Sequence, residues 1–306
     1  MKFFIALLFT FFHVVAPAIS QADAAPLGLN SAPTLEENSL LWKITGKDLP
    51  TPSYLYGTIH IIGKDDFFLT DSTRAFLDRA QLVTFEINME DMMNLPAQLG
   101  LMMKSFMGDG KTLRDLLNEE EYALVKTHFD KMGLPLFLFE RMKPMFLTVF
   151  ASMDMSPDAM SSGEMVSYEM KIMDIAKQQK KKMGGLETAE YQMSMFDSIP
   201  YEAQAKMLME AIRSNDAASD QFEEMIKLYK NQDINGMVAM MRDDEEGIGN
   251  YEDLLLVTRN KNWIPVMGEM MMAQPTFFAV GAGHLGGTMG VVALLRKEGY
   301  TVVPVW

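Results

Sequence analysis

Two histidines of this chain stand in the same short motif, Gly-x-x-His, once near each end of the sequence. Gly57 and His60 follow the apolar residues 54–56, and Gly281 and His284 follow the apolar residues 277–280. A glycine at a strand exit permits a sharp turn and the close approach of another group. Each histidine is therefore predicted just beyond the carboxyl end of a strand, the edge of an open α/β sheet at which ligands bind. If the two strands are neighbours, both imidazoles reach one pocket.

A carboxylate is placed to join the histidines. Glu86 ends the apolar strand predicted over residues 82–85, where a charge has no evident structural use unless it turns out to solvent. Two imidazoles and one carboxylate leave open the coordination positions that a catalytic metal needs for water and substrate. Such a metal lowers the pKa of its water and polarises a carbonyl group. His60, Glu86 and His284 are the predicted ligands of a divalent metal, with Zn, Mn, Fe and Co all compatible.

Two further charged residues are candidates for the chemistry. Glu187 follows a Gly-Gly pair and is predicted to be the general base or a partner of a histidine, or equally a charge that favours a helix N-terminus. Arg259 is predicted to bind a substrate carboxylate or to stabilise an oxyanion. The alternative for Arg259 is a salt bridge at the start of a helix over residues 260–272, with Asn260 as its cap.

Other metal-binding residue types carry less weight. His128, within a predicted helix over residues 122–131, is interpreted as structural. The chain has 30 methionines, and many of them recur at helical spacing through its middle, which indicates adaptable core packing or a flexible apolar groove for peptides. A copper(I) site is disfavoured because the methionines are spread out rather than massed beside the histidines.

The first residues predict export. A lysine at position 2, an apolar run over residues 3–15 and the small residues 22–24 indicate a signal peptide over residues 1–24, cleaved before Ala25. The run is shorter than the ~20 apolar residues of a membrane-spanning helix. We therefore expect a periplasmic or secreted protein without a stable membrane anchor after cleavage, and a single mature domain over residues 25–306.

Charge and cysteine content exclude several classes of protein. The formal net charge of −14 leaves no basic face for nucleic acid. The chain has no cysteine, which excludes a disulfide scaffold, a Cys-zinc site and a Cys nucleophile. A Cys-free chain is also compatible with an oxidising compartment.

Strand signals cluster at both ends of the chain. Residues 40–44 and 53–56 are predicted as paired strands, followed by a short helix and a strand over residues 82–87. Residues 276–280 and 300–305 are predicted strands around a helix over residues 289–297. Residues 90–273 are mostly helical, with a short strand end near residues 181–187. The prediction is a mixed α/β fold, in which a central mixed sheet built from N- and C-terminal strands carries a large helical insertion.

Five motifs taken together resemble the TraB/GumN family, which includes the Tiki metalloproteases. They are residues 55–60, Glu86, residues 185–188, Arg259-Asn260 with Trp263, and residues 280–287. The resemblance runs from residue 40 to residue 305. It implies a metal-dependent peptidase whose two Gly-x-x-His histidines and an acidic residue form the active site, with manganese or cobalt as the metal. It also implies that Glu187 and Arg259 face the same pocket. The family often has Gly-x-Asp where this chain has Gly163-Glu164-Met165, a departure from the pattern.

The predicted function is therefore that of an exported metal-dependent hydrolase, a peptidase that attacks a peptide or protein substrate with metal-activated water. Two alternatives stay open. One is a non-catalytic periplasmic binding protein that sequesters a peptide, a metal or a haem group in the same pocket. The other is a hydrolase that acts on an ester or a similar bond.

Overall fold

The computed structural model describes residues 37–90, 94–152, 165–213, 215–242 and 251–306. The predicted signal peptide and Gly163-Glu164 lie outside the described residues. The strands of the described part are β1 (Leu41–Thr45), β2 (Ser53–Thr58), β3 (Ile61–Gly63), β4 (Leu82–Ile87), β5 (Met165–Ser167), β6 (Lys182–Glu187), β7 (Thr276–Gly281) and β8 (Thr301–Val305).

Helices connect these strands and fill the middle of the chain. They are α1 (Asp71–Arg79), α2 (Leu95–Lys104), α3 (Glu119–Lys131), α4 (Pro144–Ser152), α5 (Tyr168–Gln178), α6 (Ala189–Phe196), α7 (Tyr201–Arg213), α8 (Asn215–Lys230), α9 (Ile234–Arg242), α10 (Thr258–Ala273) and α11 (Val291–Lys297). Short 3₁₀ turns span Leu113–Asp115, Leu136–Leu138 and Ala282–His284, and a π-helical segment, Asp253–Val257, leads into α10. Among the helices of the described ranges, none has the length and apolar character that crossing a membrane requires.

The central sheet has six strands in the order β6-β4-β7-β2-β1-β8. Strands β6, β4, β7 and β2 are parallel, and β1 pairs antiparallel with both β2 and β8. A separate antiparallel pair joins β3 to β5. The predicted mixed α/β fold is confirmed, including the pairing of the first two strands and the adjacency of the two strands that precede the Gly-x-x-His motifs.

One strand of the central sheet comes from the middle of the chain. Residues 181–187 were expected to form only a strand end, but β6 is a full edge strand beside β4. The region over residues 90–273 is therefore not a purely helical insertion. The reason lies in the sequence of β6, Lys-Met-Gly-Gly-Leu-Glu, in which Leu186 is the one fully buried residue. A strand with two glycines and no alternation carries a weak β signal, and its pairing with β4 determines its structure.

The three inner parallel strands are buried along their whole length. All six residues of β2, β4 and β7 are inaccessible to solvent. Near-continuous apolar runs are what parallel strands require, because helices cover both faces of such a sheet. Trp42, Phe85 and Phe277 are among the largest fully buried side chains of this core. Polar groups on these strands are therefore desolvated wherever they occur.

The strand order brings the polar residues together. Parallel strands end at the same edge of a sheet, so the ends of β6, β4, β7 and β2 form one row. In register, Glu187 lies opposite Ile87, and Thr58 lies opposite Gly281. The row therefore runs from Glu187 through Glu86 and Gly281 toward His60.

The neighbouring glycines Gly184 and Gly185 on β6 provide a matched test of this packing. A Cβ on Gly185 would lie 2.4 Å from the Asn88 nitrogen, whereas a Cβ on Gly184 would come no closer than 3.6 Å to any heavy atom. We expect Gly185→Ala to lower the free energy of unfolding by about 1–3 kcal/mol, the range for overpacking against a backbone that cannot yield. Gly184→Ala should change it by less than about 1 kcal/mol. Urea unfolding monitored by circular dichroism measures both, and equal effects would contradict the assigned register of β6.

Candidate active site

The two histidines and Glu86 converge on Gly281, at the end of the central strand β7. A Cβ on this glycine would lie 3.3 Å from Glu86 Oε1, 3.5 Å from His60 Nε2 and 3.6 Å from His284 Cδ2. The Gly281 amide also donates to Glu86 Oε1 at 2.9 Å. Any side chain at this position would fill the space that the three functional groups share. The glycine of the second Gly-x-x-His motif is therefore the point at which the three functional groups meet.

His60 is held by a carboxylate from helix α5. Its Nδ1 lies 2.8 Å from Glu169 Oε1, which also accepts a hydrogen bond from Thr58 Oγ1 at 2.7 Å. The second oxygen, Glu169 Oε2, accepts from Ser167 Oγ, the side chain that caps α5. Because a carboxylate only accepts hydrogen bonds, the imidazole donates through Nδ1 and directs Nε2 toward Gly281.

The buried charge of Glu169 also alters the proton affinity of His60. Burial alone lowers the pKa of a histidine, because it disfavours the charged ring. At His60 the charge of Glu169 and its hydrogen bond outweigh this effect and raise the pKa above its ordinary value. The pair forms a carboxylate–imidazole couple, an arrangement that fixes ring orientation and increases the basicity of a ligand nitrogen.

His284 is held in a comparable way by an amide. Asn260 Nδ2 donates to the backbone oxygens of Met289 at 2.9 Å and of His284 at 3.4 Å. This orients the amide so that Asn260 Oδ1 faces His284 Nδ1 at 2.6 Å and accepts a hydrogen bond from it. In the neutral ring, Nε2 then carries the lone pair. The tilted Trp263 ring, with its centroid 4.4 Å from that of His284, packs against the imidazole.

Arg259 connects the charged groups of the site. Its guanidinium is fully buried, and Nη2 donates to Glu86 Oε2 at 2.5 Å and to Glu187 Oε1 at 2.6 Å. Nε donates to the same oxygen of Glu187 at 2.9 Å, and Nη1 lies 3.1 Å from His284 Nε2. Nη1 also donates to the Leu255 carbonyl, in the π-helical segment before α10. One side chain thus links three of the residues that the sequence singled out.

The two carboxylates beside Arg259 differ in their acidity. Burial by itself raises the Glu86 pKa, but the positive charge of Arg259 and the proximity of the histidines lower it well below its usual range. At Glu187 burial prevails, and the pKa is raised despite Arg259. Gln192 on α6 donates to both carboxylates, at 3.1 and 3.2 Å, and Trp263 Nε1 donates to Glu187 Oε2 at 2.9 Å. Glu86 is therefore held as an anion, while Glu187 retains a proton more readily.

All five residues singled out for the site lie in this one cluster, and each of them is buried or nearly so: His60, Glu86, Glu187, Arg259 and His284. The alternative for Glu86, a charge turned to solvent, is wrong because its side chain is buried. The alternative for Asn260, a helix cap, is also wrong. Helix α10 starts at Thr258, so Asn260 lies inside it and binds His284. His128 lies on α3 near the Ala151 backbone, outside this cluster.

Two site residues were missed by the sequence analysis. Glu169 and Gln192 both lie within the helical middle of the chain, more than 100 residues from His60 and Glu86, which they contact. Glu169 shares the buried face of α5 with Ile172 and Met173, so a charge on an apolar helical stripe was the available signal. Gln192 gave no comparable signal, because an uncharged residue in an amphipathic helix is unremarkable.

The imidazoles of His60 and His284 and the carboxylate of Glu86 are donors that suit a divalent cation, but in this structure the Arg259 guanidinium contacts Glu86 and His284. Imidazole nitrogens oriented by partners at their other nitrogen, together with a carboxylate, are typical ligands of Zn, Mn and Co. Within the described ranges, however, no three His, Asp or Glu side chains are grouped so as to hold a metal ion. His284 Nε2 lies 3.7 Å from Glu86 Oε1, and the Arg259 guanidinium contacts both residues.

The fold and the site together define an α/β protein with two Gly-x-x-His histidines at one sheet edge. The sequence profile of the TraB/PrgY/gumN family matches residues 40–304, and this chain belongs to that family.

Curated relatives of this chain carry the name of a metalloprotease. The chain is 26% identical to Metalloprotease TIKI1 of Danio rerio, over 89% of this chain and 64% of that protein. It is 24% identical to Metalloprotease TIKI1 of Xenopus tropicalis, over 93% of this chain and 65% of that protein. It is 23% identical to Metalloprotease TIKI2 of Danio rerio, over 87% and 60%. The chain thus spans less than two thirds of the length of these relatives. No solved structure gives a significant match.

Proposed function

We propose that this protein is a metal-dependent hydrolase, and that it is a peptidase. The observation that carries the proposal is the convergence of His60 Nε2, His284 and the Glu86 carboxylate around Gly281. Both rings are held through Nδ1 by dedicated partners, which leaves Nε2 as the nitrogen that meets a ligand. The names of the relatives, all metalloproteases, support the same class of chemistry.

His60, Glu86 and His284 would hold the ion, with Mn, Co or Zn as candidates. The charge of the cluster supports this assignment. With ionised carboxylates and neutral imidazoles, Glu86, Glu169 and Glu187 outnumber the single guanidinium of Arg259. A buried cluster with excess negative charge is costly unless a cation compensates it. When bound, a divalent ion supplies Lewis acidity and lowers the pKa of water.

Glu187 is proposed as the general base and Arg259 as the electrophilic or anchoring group. Glu187 lies at the same sheet edge as Glu86, and its carboxylate is positioned by Arg259, Trp263 and Gln192. A fixed carboxylate with a raised pKa is suited to accept a proton from water and to return it to a leaving amine. Arg259 places a permanent positive charge beside the oxygen that becomes negative during attack on a carbonyl.

Helix α2 supports the choice of a peptide substrate. Leu95, Leu99 and Met103 lie on this helix, and at least half of the surface of each residue is exposed to solvent. Helix α2 packs against α6, the helix that carries Gln192. The exposed apolar residues of α2 suit the binding of segments of varied sequence, because methionine adapts to different partners.

The location is part of the proposal. A signal peptide over residues 1–24 would deliver the mature chain to the periplasm or outside the cell, where peptide substrates and divalent metals are both available. A chain without cysteines is stable to the oxidising conditions of such a compartment.

Substitution of either motif histidine should abolish metal binding. His60→Ala and His284→Ala each remove one of three ligands, so purified protein dialysed against Mn²⁺, Co²⁺ or Zn²⁺ should retain only background metal by elemental analysis. Glu169→Gln, which weakens the orientation of His60 without removing it, should lower the affinity about 10- to 100-fold.

His128→Ala is the matched control for these variants, because His128 lies outside the cluster and should leave the metal content unchanged. Full occupancy in either motif variant would show that the histidines do not share a metal. Loss of metal in the folded His128→Ala variant would show that the wrong histidine was set aside.

Hydrolysis should require the metal. A peptide library incubated with purified protein should be cleaved, cleavage should stop with a chelator, and Mn²⁺, Co²⁺ or Zn²⁺ should restore it. Mass spectrometry of the products measures all three states. Cleavage that is indifferent to the chelator would contradict the metal-dependent mechanism. Stoichiometric metal binding without turnover of peptides or esters would favour a binding protein instead.

Export should leave a defined N-terminus. If the signal peptide is cleaved as proposed, the intact mass of protein from the native compartment should correspond to a chain that begins at Ala25. Fractionation should place it in the periplasm or the medium. An unprocessed chain in the cytoplasm would overturn the proposed location.

A further inference from the structure

The guanidinium of Arg259 contacts two of the three proposed metal ligands. Its Nη1 lies 3.1 Å from His284 Nε2, and its Nη2 lies 2.5 Å from Glu86 Oε2. Asn260 keeps the proton of His284 on Nδ1, so the Nε2 lone pair is what Arg259 contacts. Two of the three proposed ligands are therefore already bound to a cation that belongs to the protein.

A metal ion and this guanidinium exclude each other at His284. One lone pair cannot accept an N–H hydrogen bond and coordinate a metal at the same time. The Arg259 side chain cannot relieve the conflict by losing its proton, because the pKa of a guanidinium lies far above neutral pH and, despite burial, the neighbouring carboxylates raise it further. Two cations at hydrogen-bonding distance in a buried site also repel strongly, because the surroundings screen charge poorly.

We infer, on the basis of the proposed metal-dependent function, that Arg259 is an internal competitor that sets the affinity of the pocket for divalent metal. If His284 Nε2 held an ion, Arg259 Nη1 would give up its contact with that nitrogen. The contacts of Arg259 Nε and Nη2 with Glu187, at 2.9 and 2.6 Å, anchor the other side of the guanidinium. The side chain therefore yields one contact without leaving the site.

A purely structural role for Arg259 predicts the opposite behaviour. If the guanidinium only held Glu86 and Glu187 in place, its loss would disorder the ligands and weaken metal binding. If it competes with the ion, its loss releases a nitrogen and a carboxylate that the ion can use, and binding becomes tighter. The sign of the change in affinity separates the two roles.

The test compares Co²⁺ affinity in wild type, Arg259→Lys and Arg296→Lys, measured by competition with a chromophoric chelator and by the visible spectrum of the bound ion. Lysine retains the charge but lacks the planar fork that spans Glu187 and His284. We expect Arg259→Lys to bind Co²⁺ about tenfold or more tightly than wild type, the factor gained when one charge-assisted hydrogen bond no longer has to be broken. Arg296→Lys, on α11 beside Trp42 and the Val302 carbonyl, should bind as wild type does.

Equal or weaker Co²⁺ binding by a folded Arg259→Lys variant would overturn the inference and leave the metal site intact. Absence of Co²⁺ binding in both wild type and Arg259→Lys would refute the proposed function, and the inference with it. Binding by Arg259→Lys alone would support the inference in its strongest form.

A second variant guards against loss of fold. Arg259→Met combined with Glu187→Gln removes one positive and one negative charge, so the net charge of the cluster is unchanged. Glu86 loses its contact with Arg259 but keeps its hydrogen bonds from Gln192 and the Gly281 amide. This double variant should also bind Co²⁺ more tightly than wild type, with circular dichroism confirming a native fold. Weaker binding by the folded double variant would overturn the inference.

Discussion

The site depends on Gly281, a residue without a side chain, at the end of strand β7. Strand β7 has parallel neighbours on both sides. Glu86 comes from β4 and His60 from the turn after β2, and the two approach each other across β7. A Cβ on β7 would occupy the space between them. The separation of adjacent strands, about 4.8 Å, is what places groups from β4 and β2 on either side of this residue. A change of strand order would separate the acidic and histidine halves of the pocket.

The helical middle of the chain supplies the partners that make these groups usable. Strand β4 contributes Glu86, and the turns that follow β2 and β7 contribute His60 and His284. Glu169, Gln192 and Arg259 all come from helices packed over the same edge. Buried charges of this density are costly unless each has hydrogen-bond partners and counter-charges. The helices are therefore part of the candidate site rather than a cover over it, which explains why they cannot be regarded as a separable insertion.

The predictability of each part follows from the range of the interactions that determine it. The inner strands were predictable because a strand buried on both faces is apolar along its whole length. The convergence of His60 and His284 was predictable because it follows from two strand exits being neighbours. Strand β6 was understated, since pairing with β4 rather than its own sequence fixes it. Glu169 and Asn260 acquired their roles only through contacts over 109 and 24 residues of sequence.

The adjacent residues Arg259 and Asn260 act on His284 together. Successive residues of a helix point about 100° apart, and here one reaches Nε2 and the other Nδ1 of the same ring. The two contacts depend on each other. If Asn260 did not accept a hydrogen bond from Nδ1–H, His284 could adopt the tautomer with its proton on Nε2. That tautomer would direct an N–H group at the guanidinium, and no cation could bind Nε2. The Asn260 amide therefore leaves the Nε2 lone pair of His284 available to a cation, and Arg259, the residue before Asn260, is the cation that contacts it in this structure.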